Sequence, residues 1–532
     1  MVRRLALYNG VIHTLNEAAP RVEAVGIVGE RIVAAGTNDA VRAALGALGA
    51  SQEFDLRGRT AVPGLIDAHL HFLGLSLALL QVPLTGVRSI AEAVERVAAR
   101  AREMPAGQWI VGAGWNANTL RDGRWPTRVD LDLQVSAHPA VLMSQDHHSF
   151  WINTRALEAA GIGRDTPDPA DGRIERDERG EPTGLLLEGA MRAVREALPD
   201  PLPEQRQEAL RAGVREANRL GLTGVHSMEY PDAFAALQRL RADGGLTLRV
   251  CESIPADCLD EAIALGIRSG FGDEWLRLGQ LKIFADGALG SRSALMLAPY
   301  EGEPDNRGIA VRTPEDIRDL VRRAADAGIA ACIHAIGDAA NRLVLDVYEE
   351  ARRDGLLDVP RLPPRIEHAQ VLDPADLGRF AALGVVASMQ PIHCTTDMFG
   401  IDRWWGGRGR WAYAFETLRR GGAVLAFGSD APVDDLSPIA GIHAAVTRQN
   451  AAGKPAGGWY PEERLTALDA LRAYTVGAAK AAGEEDLKGT IEPGKLGDLV
   501  VLSQDILAVP GPEILHTRVE ATVVGGEVVY GG

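Results

Sequence analysis

The chain has 532 residues, 46% of them apolar, and a formal net charge of −16 at neutral pH. That length supplies one large core and a smaller domain, and the acidic balance excludes a nucleic-acid polyanion as the main partner. No run of about 18 apolar residues occurs, which excludes a membrane-spanning helix.

In chain order, MVRRLALYNGVIHTLNE opens with a short apolar stretch that Asn9, Gly10 and His13 interrupt. It reads as a first strand rather than a secretory leader, and a cytoplasmic protein is expected. AVGIVGERIVAAG (24–36) is a hairpin signal, two β-branched runs around Gly-Glu. The last stretch is alike: GDLVVLSQD (497–505) and VEATVVGGEVVYGG (519–532) read as strands joined by Gly-Gly. Residues 1–60 and 485–532 are therefore expected to form one composite β-sandwich domain built from both chain ends.

Between them, apolar strands alternate with amphipathic helices, the α/β pattern of a parallel barrel. The expected strands are 61–71, 222–228, 247–254, 276–286, 329–337, 364–370, 385–390 and 424–430. Eight strands are what a closed (β/α)8 TIM-like barrel needs, here spanning 61–484. Segments 90–104 and 315–328 carry the helical pattern of one charged and one apolar face. Residues 73–215 form a large insertion after the first strand, with strand-like runs at 108–115 and 139–146 and a turn-rich stretch at 164–184. Residues 393–413 read as a second long loop. Seven of the nine tryptophans fall in these two regions. Both are expected to act as a lid over the barrel mouth, or the tryptophans pack the insertion. The four cysteines (251, 258, 332, 394) are widely spaced and read as buried free thiols.

The chemistry sits at strand ends. His69 and His71 lie in PGLIDAHLHF, Lys282 in KIFADGALGSRSA, His334 in ACIHAIGDAA, His368 in RIEHAQ and Asp430 in VLAFGSDAPV. Strand ends of a barrel converge on one mouth. In His-X-His both imidazoles project from the same face of a strand and can bind one divalent ion, with Asp67 placed to orient a ligand histidine. An ammonium cannot bind a cation. A neutral lysine can add carbon dioxide, and the resulting carbamate offers one oxygen to each of two metals. The alternatives are a core lysine paired with Asp286, core histidines at 334 and 368, and a helix N-cap at Asp430. Two metals about 3.5–4 Å apart turn a shared water into a bridging hydroxide near neutral pH. Asp430 would take its proton as general base and pass it to the leaving nitrogen as general acid.

These motifs, together with GWNANTL and WPTRVDLD (within 114–132), DHHSFWINTRAL (146–157), GEPTGLLLE (180–188) and GTIEPGKLGDLVVL (489–502), resemble the amidohydrolase superfamily. The likeness is to its amidohydrolase-3 branch, which includes N-substituted formamide deformylase, and it runs the whole length. The resemblance implies the barrel and composite β domain, two divalent ions (usually zinc) and a carboxylated lysine. Its ligands carry onto His69, His71, Lys282, His334, His368 and Asp430. It also implies a homodimer, though the sequence itself shows no interface. The expected activity is hydrolysis of a C–N bond in a small, partly apolar amide, formamide or cyclic amide. The alternatives are an aminohydrolase (deaminase), an ester or lactone hydrolase, and a scaffold without catalysis.

Two departures stand out. The resemblance leads to the expectation of Asp-Gly-His-Ser where this chain has Asp146, His147, His148 and Ser149, and of Gly-Trp-Asp where it has Gly114, Trp115 and Asn116. Trp115, Asn116, His148, Asp286, Arg292 and Gln390 are the candidate substrate contacts. His226 is more naturally a core residue, and Glu188 is either a pocket acid or a solvated helix start.

Overall fold

The computed structural model describes residues 2–47, 49, 51–145, 148–357 and 362–531, without the side chain of Asn118. The chain divides into two compact units, Met1–Ser76 with Gln207–Gly532, and Leu77–Arg206.

The first unit holds an eight-stranded parallel sheet. Its strands are β1 Leu65–Leu70, β2 Leu222–Ser227, β3 Arg249–Pro255, β4 Leu276–Phe284, β5 Ala331–Ala335, β6 Arg365–His368, β7 Val386–Met389 and β8 Leu425–Phe427. Each pairs in parallel with the next. The ring closes just past the ends of β8 and β1, where Asp430 N–H donates to His69 C=O at 2.7 Å and His71 N–H to Ala431 C=O at 2.9 Å. The connecting helices follow local rules. Pro314–Asp326 has Pro at its first turn, a Thr313/Asp316 capping box, and buries Ile317, Val321 and Ala324 on one face.

The same unit holds the β-sandwich. One sheet runs Arg31–Gly36, Ala24–Val28, Arg4–Tyr8, Gln52–Asp55; the other runs Glu527–Gly531, Val519–Val524, Leu499–Leu502, Thr60–Pro63, Val11–His13, Arg21–Val22. Leu5, Leu7, Val25 and Ile27 from the front of the chain pack with Leu499, Val501 and Val523 from its end.

The second unit is a mixed sheet ordered Gly172–Arg176, Pro182–Glu188, Ser149–Ile152, Ala140–Ser144, Ile110–Trp115, Val82–Pro83. Helices Ile90–Glu103 and Arg128–Val135 cover Trp115, Leu142 and Trp151 in its core.

Four expectations change. Residues 61–63 belong to the sandwich rather than to the first barrel strand, because Thr60–Pro63 pairs antiparallel with Leu499–Leu502. The break falls at Gly64, where any Cβ would collide with Thr223 Oγ1. The turn-rich stretch 164–184 contains a hairpin arm, Gly172–Arg176, paired antiparallel with Pro182–Glu188. The loop expected at 393–413 is instead largely helical. Pro391–Trp404 starts on a proline and buries Ile392, His393, Thr395, Met398 and Ile401, and a 3-10 turn covers Gly406–Trp411. The glycines and tryptophans at its far end masked that spacing. All four cysteines are free; Cys258 is half-buried rather than buried. No helix among the described residues is long and apolar enough to cross a membrane.

Barrel closure depends on Gly428. A Cβ there would collide with the His69 backbone nitrogen and lie 2.7 Å from Asp67 Oδ1. Gly428→Ala is expected to cost about 3 kcal/mol of unfolding free energy, read from denaturant midpoints. An unchanged midpoint would show that β8 and β1 can part without loss.

Candidate metal centre and active site

The barrel mouth opens into a cavity of about 440 Å³ lined by His69, His71, Lys282, His334, His368 and Asp430. The six side chains that the sequence singles out, from four strand ends and the β8 turn, therefore share one space. All are buried except the half-buried His71. His368 and Asp430 hold left-handed backbone, with φ of 74° and 60°. Such strain costs about 1–3 kcal/mol per residue and collects at functional sites.

The histidines are aimed by fixed partners. His69 Nδ1 lies 2.6 Å from Glu367 Oε2. His368 Nδ1 lies 2.8 Å from Gln390 Oε1. His334 Nε2 lies 3.1 Å from the Gly287 carbonyl. Each acceptor takes the N–H of one ring nitrogen and leaves the other lone pair free, the arrangement of metal-ligating imidazoles. The rings are neutral: burial, aided by Lys282, lowers the pKa of His69 and brings that of His334 to about 3. Burial also lowers the pKa of Lys282, so the neutral amine is within reach.

Glu367 is anchored from below. Arg365 Nε lies 2.9 Å from its Oε1, and both side chains are fully buried. Burial alone would favour the neutral acid; Arg365 and then His69 outweigh it and hold Glu367 well below the usual carboxylate range. Arg365 also donates to the Ala68 carbonyl and the Ser388 hydroxyl, and meets His226 Nδ1 at 3.0 Å. His226 is thus a core residue under the site.

The donor set fits a cation. Asp430 Oδ1 is buried with no hydrogen-bond donor among the described residues. It faces Nε2 of His69 at 3.5 Å and of His71 at 3.4 Å. The ligand atoms of these three residues lie within 4.8 Å of one another. Lone pairs that converge without a proton between them are satisfied by a positive ion.

The other oxygen of Asp430 meets a residue that sequence reasoning missed. His393 Nε2 lies 3.2 Å from Asp430 Oδ2, and its Nδ1 lies 2.7 Å from Asp434 Oδ2. Burial works to lower the His393 pKa, but the two carboxylates outweigh it and push it up to about 10. His393 is therefore a double donor that fixes the orientation of Asp430. The signal was its place three residues after Gln390, at the start of a helix read as a loop.

The secondary candidates scatter. Trp115 is buried in the core of the second unit, with its indole N–H on the Leu142 carbonyl at 2.8 Å; packing accounts for it. Asn116 binds the Gln145 side chain at 3.2 Å, and His148 pairs with Glu188 at 2.9 Å on the surface of that unit. His147 lies outside the described residues. Asp286 accepts three backbone N–H groups, from Leu295, Ile336 and Gly337, and braces the His334 turn. Burial raises its pKa to about 7. Arg292 pairs with Glu303 at 2.7 Å and stacks on Trp404. Gln390 orients His368 and is itself fully buried. Asp67 steadies His69 through its backbone rather than its ring: its carboxylate accepts N–H from His69 and Ser429, stapling β1 to β8.

Removing an orienting partner tests this reading of the histidines. Gln390→Ala is expected to weaken metal binding about 10–100-fold, measured by competition with a chromophoric chelator. Unchanged affinity would mean that packing alone holds His368.

Comparison with known proteins agrees with this geometry. A family model described as the amidohydrolase family matches residues 52–530. N-substituted formamide deformylase of Arthrobacter pascens is 32% identical over 99% of this chain and 98% of its own length. Protein LONG AFTER FAR-RED 3 of Arabidopsis thaliana is 35% identical over 100% of this chain and 92% of its own. The crystal structure of an uncharacterized metal-dependent hydrolase from Pyrococcus horikoshii superposes with a TM-score of 0.79 at 28% identity, covering 96% of this chain and 99% of that one. A converging His/Asp donor set at the mouth of a parallel barrel and a family match over nearly the whole chain lead to one conclusion: this chain belongs to the amidohydrolase family, metal-dependent hydrolases acting on carbon–nitrogen bonds other than peptide bonds.

Proposed function

We propose that the chain hydrolyses the C–N bond of a small, partly apolar amide or formamide at a centre of two divalent ions, zinc being the expected metal. The observation that carries this is Asp430 Oδ1, buried without a donor between the Nε2 atoms of His69 and His71. His69, His71 and Asp430 would hold one ion, His334 and His368 the other, and Lys282, as its carbamate, would reach both. Bound there, the metals supply an acidified water and a polarised carbonyl.

The chain's own groups do the rest. Asp430 accepts the proton of the attacking water and delivers it to the leaving nitrogen. His393, anchored by Asp434, keeps Oδ2 of Asp430 engaged and so turns Oδ1 toward the reaction. Phe284, Leu289, Ile336 and Val433 give the cavity an apolar side, which suits the hydrocarbon part of an N-substituted amide. The formamide reading is supported by the deformylase of Arthrobacter pascens, similar over 98% of its own length.

Asp430→Asn is expected to lower kcat on an N-formyl amine by at least about 100-fold. An unchanged kcat in a metal-loaded variant would remove Asp430 as the proton carrier. Lys282→Ala is expected to lose one of two metals per chain, with bicarbonate raising metal content only in the parent. One metal in both proteins would discard the bridging carbamate.

A further inference from the structure

The cavity wall away from the donors is acidic. Asp397 and Asp434 both line it. Each is tied to the protein through Oδ2. Asp397 Oδ2 accepts from Tyr413 and Gln370, each at 2.9 Å. Asp434 Oδ2 accepts from His393 at 2.7 Å and Thr396 at 3.0 Å. No donor among the described residues reaches either Oδ1. Among the described lining residues there is no arginine, and Lys282 is the one lysine. The cavity also holds the buried, donor-free Asp430 Oδ1 one imidazole ring away from Asp434.

Two carboxylates with a free oxygen each, in a partly desolvated cavity, call for donors from the ligand. Burial raises the Asp397 pKa and outweighs the opposing pull of His393, so a further cation close by would stabilise its carboxylate. His393 also lines this wall, but both its N–H groups are taken by Asp430 and Asp434, so a ligand carboxylate would meet the two carboxylates with no free donor to receive it, and such juxtapositions are disfavoured. Phe284 and Val433 line the same cavity and suit a short hydrocarbon spacer.

We propose that the substrate amide carries a protonated amine a few carbons from the scissile bond, which seats between Asp397 and Asp434, and that amides ending in a carboxylate are rejected. The selectivity rests on the hydrolase reading above; the acidic wall does not.

Three N-formyl alkylamines of equal length, ending in ammonium, methyl or carboxylate, test it on the metal-loaded enzyme. The expected kcat/KM order is ammonium, methyl, carboxylate, with about tenfold or more between the ends. Asp397→Asn is expected to compress that spread, chiefly through KM for the ammonium compound. Calorimetry with 1,5-diaminopentane and with pentylamine gives a second readout that needs no turnover; the diamine is expected to bind about tenfold more tightly. Equal rates for all three tails, or equal binding of the two amines, overturns the proposal. Cleavage of none of the three with tighter binding of the diamine strikes the hydrolase reading and leaves the cationic subsite standing.

Discussion

The hydrogen bond from Asp430 N–H to His69 C=O joins the last barrel strand to the first. It also brings His69 and His71 against Asp430, whose Oδ1 faces the Nε2 atoms of both. The two halves of the centre are 361 residues apart in the chain, and they meet only if the barrel closes. Asp67 reinforces the seam by accepting N–H groups from His69 and Ser429. Gly428 lets the two backbones approach. Closure and chemistry are thus one structural event, and strained φ angles at His368 and Asp430 persist because the surrounding ladder over-determines them.

Beneath the donors lies a column of charge. Arg365 and Glu367 are fully buried and paired. Such a pair adds little net stability against an apolar replacement, but removing one member strands the other at a cost of about 3–5 kcal/mol. Its role is directional: Glu367 accepts the Nδ1–H of His69, which points the Nε2 lone pair at the centre. Gln390 does the same for His368. The neutral amide suits a position beside several imidazoles, where a second carboxylate would pull protons onto the rings.

The outer wall follows from one helix. Pro391–Trp404 brings His393, Thr396 and Asp397 to the cavity, and the turn after β8 brings Asp434. The inner half of the cavity is therefore built from strand ends, and its acidic outer side from a helix and a turn. A site divided in this way can keep its hydrolytic centre while the wall changes with the substrate.

Much of this was legible in the residues. Four barrel strands (β1, β4, β5 and β6), and β8 with the turn after it, are apolar runs ending in a chemically distinctive side chain, so strand period, strand count and ligand order could be read together. The sandwich hairpins announced themselves through Gly-Glu and Gly-Gly turns. The helix carrying His393 was not legible, because glycine and tryptophan near its end concealed a buried face that starts at Pro391. Trp115 resembled a pocket aromatic, yet it fills the core of the Leu77–Arg206 unit, since burial depends on packing partners far away in sequence.

The sequence by itself determined the fold class, the six side chains that meet at the barrel mouth and the strand ends that carry them, because side-chain period and residue chemistry are local. Only the tertiary structure decided which nitrogen of each histidine is free, which carboxylate oxygen lacks a partner, and that His393, Asp397 and Asp434 face the same cavity. Those properties are distances between groups tens to hundreds of residues apart, and no local pattern encodes a distance.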